Sequence, residues 1–98
     1  MGEEMYTYII TFKTISNDVV CDFKWRDKID YYPAWAMLSN NTYLFVSSEK
    51  IESITKHFAD LVSNGSHCFI AKISDDTAWA GYSEGVSKWI KDNTKKTK

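Results

Sequence analysis

The order in which strand-like and helix-like apolar patterns follow one another is the strongest restriction on how this chain folds. Met5 to Lys13, MYTYIITFK, alternates with period two and is rich in β-branched and aromatic residues, so it reads as a strand. Tyr6, Tyr8, Ile10 and Phe12 fall on one face of it, Thr7, Ile9, Thr11 and Lys13 on the other. Ser16-Asn17-Asp18 supplies a turn and a helix N-cap signal. Cys21, Trp25 and Ile29 then recur at helical spacing, broadened by Val20 and Phe23, which predicts a helix to about Asp30. Pro33, the only proline, stops that helix and pushes Tyr32 toward extended geometry. Ala34 to Leu38 is a short apolar strand, Ser39-Asn40-Asn41 a hairpin turn in which Asn tolerates positive φ, and Thr42 to Ser47 the partner strand. Ser48 is predicted to cap a second helix from Glu49 to about Ser63. Ile51, Ile54, Phe58, Leu61 and Val62 form its apolar stripe, and Asn64-Gly65 ends it. His67 to Ile73 is a fourth strand. Asp75-Asp76 opens a loop through Trp79 and Gly81, and Tyr82, Val86, Trp89 and Ile90 mark a last short helix.

The order is therefore β-α-β-β-α-β followed by a helix. Two crossovers, each right-handed, are satisfied when both helices lie on one face of a four-stranded antiparallel sheet. The sequence predicts an α+β, ferredoxin-like βαββαβ two-layer sandwich with a short C-terminal helix. Residues 5–91 form the single domain, 1–4 a flexible N-terminus and 92–98 a polar C-terminal tail. At 98 residues, 44% hydrophobic and 15% aromatic, the chain has material for one core. The arrangement leaves the second sheet face without a helix from the repeat. If Tyr6, Tyr8, Ile10 and Phe12 face the helices, Ile9 points to that open face together with either Leu44 and Val46 or Tyr43 and Phe45. Exposed apolar faces mark partner sites, so Ile9, Leu44 and Val46 are the candidate interface of a homodimer or ligand platform, unless the terminal helix folds over them.

A formal net charge of −1 argues against nucleic-acid binding by bulk electrostatics and leaves that role to a local patch. Cys21 and Cys68 stand far apart, outside any CxxC or Cys/His pattern, and read as reduced core thiols of a cytoplasmic protein. No apolar run has the form of a secretion signal or a membrane span. Gly2, Gly65, Gly81 and Gly85 form no phosphate-cradling loop, so no nucleotide or other cofactor is expected.

Asp75-Asp76 reads as a turn and cap rather than a metal pair, because oxygen-ligand sites need more converging carboxylates. Asp18, Asp22, Asp27 and Asp30 interleave with Lys24, Arg26 and Lys28 as a solvated helix surface. No metal ligand set and no catalytic residue is expected. His57 and His67 are read as structural or surface residues; a metal-free ribonuclease would need one of them beside a lysine. Sheets of this topology stack RNA bases on aromatics of the first and third strands, which makes Tyr8 and Tyr43 candidate nucleic-acid contacts together with Lys13. The segment Asn41-Thr42-Tyr43-Leu44-Phe45-Val46 lacks the basic residue and glycines of the RNA-recognition signature, and core or dimer packing accounts for the same aromatics. Lys91, Lys95, Lys96 and Lys98 offer phosphate contacts or simply solvate the chain end.

A family resemblance rests on Tyr8-Ile9-Ile10-Thr11-Phe12-Lys13, Ala34-Trp35-Ala36, the strand Asn41 to Ser47, Ile51, Phe69 to Ile73, Ala78-Trp79-Ala80-Gly81 and Lys88-Trp89-Ile90-Lys91. With these motifs the chain resembles the SinR-like small bacterial proteins over most of residues 5–92. That family is similar in fold to the CRISPR adaptation subunit and to GhoS-type antitoxin endoribonucleases. The resemblance implies a homodimeric module in a nucleic-acid-related setting such as toxin-antitoxin function or phage defence. Where the adaptation subunit has an Asp metal ligand at the end of its first strand, this chain has Lys13, whose ammonium repels Mg2+. The expectation is a small non-catalytic interaction module, with no membrane association. The alternatives are a metal-independent endoribonuclease or RNA-binding antitoxin, and a protein–protein inhibitor.

Overall fold

A computed structural model describes residues 4–13, 19–62, 66–74 and 77–94, the stretch 19–23 as backbone only. Its elements are β1 (Tyr6–Lys13), α1 (Val19–Ile29), β2 (Ala34–Ser39), β3 (Thr42–Ser47), α2 (Ile51–His57), α3 (Ala59–Val62), β4 (His67–Lys72) and α4 (Glu84–Thr94). The strands form one antiparallel sheet in the order β2-β3-β1-β4, so the fold is α+β and compatible with a two-layer sandwich. Among the described residues no helix is long and apolar enough to cross a membrane. The predicted signals at Ser16-Asn17-Asp18, Asn64-Gly65 and Asp75-Asp76, the side chain of Cys21 and the lysines after Thr94 lie outside the described residues.

The parity of β1 sets the two sides of the sheet. Tyr8 lies opposite Phe45 and Ile10 opposite Tyr43, and these four residues share a core with Phe12, Trp25, Ile29, Tyr32, Ile54 and Phe58. Helices α1, α2 and the α2–α3 junction therefore cover one face. Aromatic rings fill it: Phe12 stacks on Trp25 at 4.6 Å and Tyr32 on Phe45 at 4.3 Å, which buries much apolar area in few residues. Helix α1 tightens as it ends. The Tyr31 and Tyr32 amides bond three residues back to Lys28 and Ile29, just before Pro33 forbids another turn.

Three local expectations are corrected. Ser48 does not cap the second helix. That helix begins at Ile51 with Lys50 at the N-cap, and Ser47 Oγ accepts the Glu49 amide at 3.0 Å instead. The predicted single helix from Glu49 is broken at Phe58, whose ring is fully buried. The Phe58 amide bonds to Thr55 O and the Leu61 amide to Phe58 O, three-residue spacings that interrupt the α ladder. The hairpin at Asn40-Asn41 forms without positive φ, because no non-glycine residue among those described has it. Asn41 Oδ1 instead accepts the Ser39 hydroxyl at 3.0 Å and the Thr42 hydroxyl at 3.3 Å, and the register shifts between Met37 and Ser39.

Helix α4 is longer than its apolar residues predict and runs through Asp92 to Thr94, into the stretch expected to be tail. Ser83 Oγ accepts the Val86 amide at its start. At its end Asn93 and Thr94 side chains bond the carbonyls of Trp89 and Ile90. The chain turns toward α4 at Gly81, whose φ of +88° suits glycine.

Among the described residues one buried side-chain group has no protein partner. The Tyr32 hydroxyl is sealed in the core without a hydrogen bond to the protein, and burial pushes its phenol pKa up. Tyr32→Phe keeps the ring and removes the stranded hydroxyl. It is expected to leave stability unchanged or raise it by up to about 1 kcal/mol, read from urea midpoints at constant m. A loss above about 1 kcal/mol would show that the hydroxyl is bonded.

Candidate interaction surface

The face of the sheet turned away from α1 and α2 divides into a covered and an open part. Ile9, Leu44 and Val46 lie on this face, since Ile9 is paired with Leu44 and Thr7 with Val46. Leu44 and Val46 are only 3% and 8% exposed. The cover of Leu44 is intramolecular: α4 lies against β1 and β2, and Ile9, Leu38, Leu44, Trp79, Tyr82 and Ile90 line a shared cavity of about 300 Å3. The Thr7 hydroxyl also donates to Asn93 O, fixing the last turn of α4 to β1. Of the outcomes left open by the sequence, the terminal helix folds over the face. The three residues named as an interface pack within one chain.

The cover ends before the far end of β1 and β4. There Thr11 is paired with Phe69 and Lys13 with His67. Phe69 is 66% exposed, a large apolar side chain standing in the middle of a strand, and both Lys13 and His67 are exposed beside it. Thr42 Oγ1 bonds Thr11 Oγ1 at 3.2 Å, which extends the patch with hydroxyls onto β3. Directly opposed residues bring their Cβ atoms within about 5.5 Å and diagonal neighbours within about 8 Å, so the Phe69 ring, the Lys13 ammonium and the His67 imidazole occupy one surface.

The other candidate nucleic-acid residues are elsewhere. Tyr8 and Tyr43 are 2% and 4% exposed on the helix-covered face. The Tyr8 ring stacks on Phe45 at 5.6 Å and its hydroxyl donates to Glu49 O at 2.9 Å, and burial pushes its phenol pKa up. Tyr43 packs between Phe12 and Trp35. Rings held this way offer no free face to a base. The structure thus separates Lys13 from the two tyrosines grouped with it and gives it Phe69 and His67 as neighbours. Phe69 was missed because period-two alternation places it on the open face without revealing where α4 stops.

The remaining titratable clusters have structural work. His57 Nε2 lies 3.1 Å from Lys28 O, with its ring among Tyr31, Tyr32 and Phe58. Cys68 is a free, half-buried thiol whose pKa burial raises. A cleft of about 660 Å3 beside β1 and the start of α2 holds Tyr6, Glu49, Lys50 and Lys72, with the Lys72 ammonium 4.2 Å from the Tyr6 ring centre. Among the described residues no group of three or more His, Cys, Asp or Glu is placed to hold a metal ion. Compared with known protein families, characterised proteins and solved structures, the chain shows a match to none.

Proposed function

We propose that this chain is a small, non-catalytic, homodimeric interaction module of ferredoxin-like topology that binds single-stranded nucleic acid in a cytoplasmic bacterial or phage setting. The strand order β2-β3-β1-β4, with α1 and the α2–α3 pair on one side, supports the topology. The observation that carries the binding role is the open patch of Phe69, Lys13 and His67. A base stacks on an exposed aromatic ring whatever its identity, and a neighbouring ammonium neutralises the phosphate. Such a local patch works despite a net charge of −1. Fluorescence anisotropy with a labelled single-stranded RNA tests it. Phe69→Ala should weaken binding by roughly fivefold or more, the value of one base–aromatic stack, and Lys13→Glu should weaken it and flatten its salt dependence. Binding unaffected by both variants would refute the role.

The facing of Lys13 and His67 favours a second function, metal-independent RNA cleavage. His67 would act as general base on a ribose 2′-hydroxyl as its oxygen attacks the adjacent phosphorus. The P–O5′ bond breaks, the 5′-oxygen takes a proton from water, a 2′,3′-cyclic phosphate forms, and the Lys13 ammonium stabilises the charged phosphorane. Cleavage that persists in EDTA and is abolished by His67→Ala would establish it. Intact RNA after long incubation would leave the binder alone.

A further inference from the structure

The two edges of the sheet are built differently. Edge β2 follows Pro33, carries a register irregularity between Met37 and Ser39, and lies beside α4. These are devices that keep an edge from pairing with another chain. Edge β4 has α2 and α3 against it on the helix-covered face, but it has neither a proline before it nor a break in its register. Its pairing with β1 is regular from His67 to Lys72, no described strand pairs with its outer side, and its charge-bearing residues stand only at its ends. Its middle, Cys68-Phe69-Ile70, is apolar.

The hydrogen-bond phase of that edge can be read from its neighbour. The Ile73 amide donates to Thr7 O at 2.8 Å, so residues 73, 71, 69 and 67 point their backbone groups at β1. The Phe12 amide donates to Asn41 O at 3.0 Å, which gives β1 the matching phase. The amides and carbonyls of Cys68, Ile70 and Lys72 therefore point outward, away from the sheet.

We infer that a second copy of this chain pairs with the outer edge of β4, antiparallel and two-fold, with Phe69 opposite Phe69 of the partner. In this register Cys68 of one copy forms a hydrogen-bonded pair with Ile70 of the other, on both sides of the axis. The two Phe69 residues then form the non-hydrogen-bonded pair at the centre, where opposed side chains come closest. The outward donors of Cys68 and Ile70 are satisfied, and each exposed ring gains an aromatic partner. On the other face of the same edge, α3 packs next to β4 and carries Val62, an exposed apolar side chain that adds to the contact. The two Phe69, Lys13 and His67 patches become one continuous surface across the axis. The inference rests on the homodimer proposed above and specifies how it forms.

Sedimentation equilibrium of the nucleic-acid-free chain tests it, together with two variants. Phe69→Lys replaces a side chain exposed in the single copy, so far-UV circular dichroism should stay as in the parent, while Tm should fall only as far as the lost association requires. It places like charges opposite each other and should weaken the dimer about tenfold or more. Phe69→Cys should form a disulfide between copies under mild oxidation, because the Cα separation of a non-hydrogen-bonded pair, near 4.5 Å, lies within disulfide range. Peptide mass mapping should find that bond joining residue 69 to residue 69, while Ala71→Cys should not link to itself. A parent chain that stays monomeric would overturn both the homodimer and the β4 edge. A parent dimer that survives Phe69→Lys undiminished, or that does not cross-link at residue 69, would keep the homodimer and overturn the edge.

Discussion

Trp25→Ala is expected to cost about 3–5 kcal/mol and to lower Tm by more than about 12 °C, the largest loss from any single truncation in this protein. Trp25 is fully buried between two rings, stacked on Phe12 at 4.6 Å with planes 4° apart and on Phe58 at 5.8 Å. Through Phe12 it holds α1 to the sheet, and through Phe58 it holds α1 to the α2–α3 junction. Alanine leaves a void at that three-way contact, and the flat rings around it have little means of collapsing into it. A domain of this size has a total stability of only about 5–15 kcal/mol, so the variant should be partly unfolded under ordinary assay conditions. Trp35 provides the control. It is half-buried, with its indole N–H on Asp30 Oδ1 at 3.0 Å and the Arg26 guanidinium over its ring, and Trp35→Ala should cost clearly less. Urea unfolding of the two variants decides the matter: equal losses would mean that the Phe12–Trp25–Phe58 stack is not the centre of the core.

Trp25 was legible in the sequence because local pattern and tertiary role agree there, and so was the division of β1 into two faces. The alternation of β1 separates Tyr8, Ile10 and Phe12 from Ile9, and Thr42 to Ser47 has the bounds of β3. Once the pairing of Tyr8 with Phe45 is known, the choice the sequence left open is settled: Leu44 and Val46 accompany Ile9, and Tyr43 and Phe45 go inside. What was illegible depends on contacts distant in sequence. The stripe from Ile51 to Val62 is continuous, yet the buried Phe58 interrupts the ladder. Asp92-Asn93-Thr94 is polar and reads as a fraying end, yet Asn93 and Thr94 bond back to α4 and the Thr7 hydroxyl holds the last turn. The site shares this pattern. Tyr8 and Tyr43 occupy strands suited to stacking, but a strand position does not say which face the helices take. Phe69 gains its meaning only from where α4 stops, which no local period encodes.

Ile90→Asp should release α4 from the sheet while the rest of the fold survives. Ile90 is 2% exposed and shares its cavity with Ile9, Leu44 and Trp79. A carboxylate at that position would be desolvated among apolar groups, a cost of several kcal/mol unless it escapes to water. Two escapes exist, and they differ in cost. Global unfolding forfeits the aromatic core on the other face, whereas undocking α4 forfeits mainly the apolar contacts of one helix, so local opening is the cheaper route. Amide exchange should then show residues 84–94 losing protection while β1 and β3 keep theirs. The opened face presents Ile9, Leu44 and Val46 together, an apolar patch of the kind that recruits partners. The variant should bind a hydrophobic dye and associate with rising concentration, and adding Phe69→Lys should not prevent this, because the contact uses the sheet face rather than the β4 edge. Ile90→Val, which trims one methylene and adds no charge, should cost about 0.5–1.5 kcal/mol and leave α4 docked. If Ile90→Asp instead lost protection uniformly, α4 would be part of the cooperative core. The sheet face would then never be free to meet a partner, and the edge of β4 and the patch around Phe69 would be the surfaces left for this chain to work with.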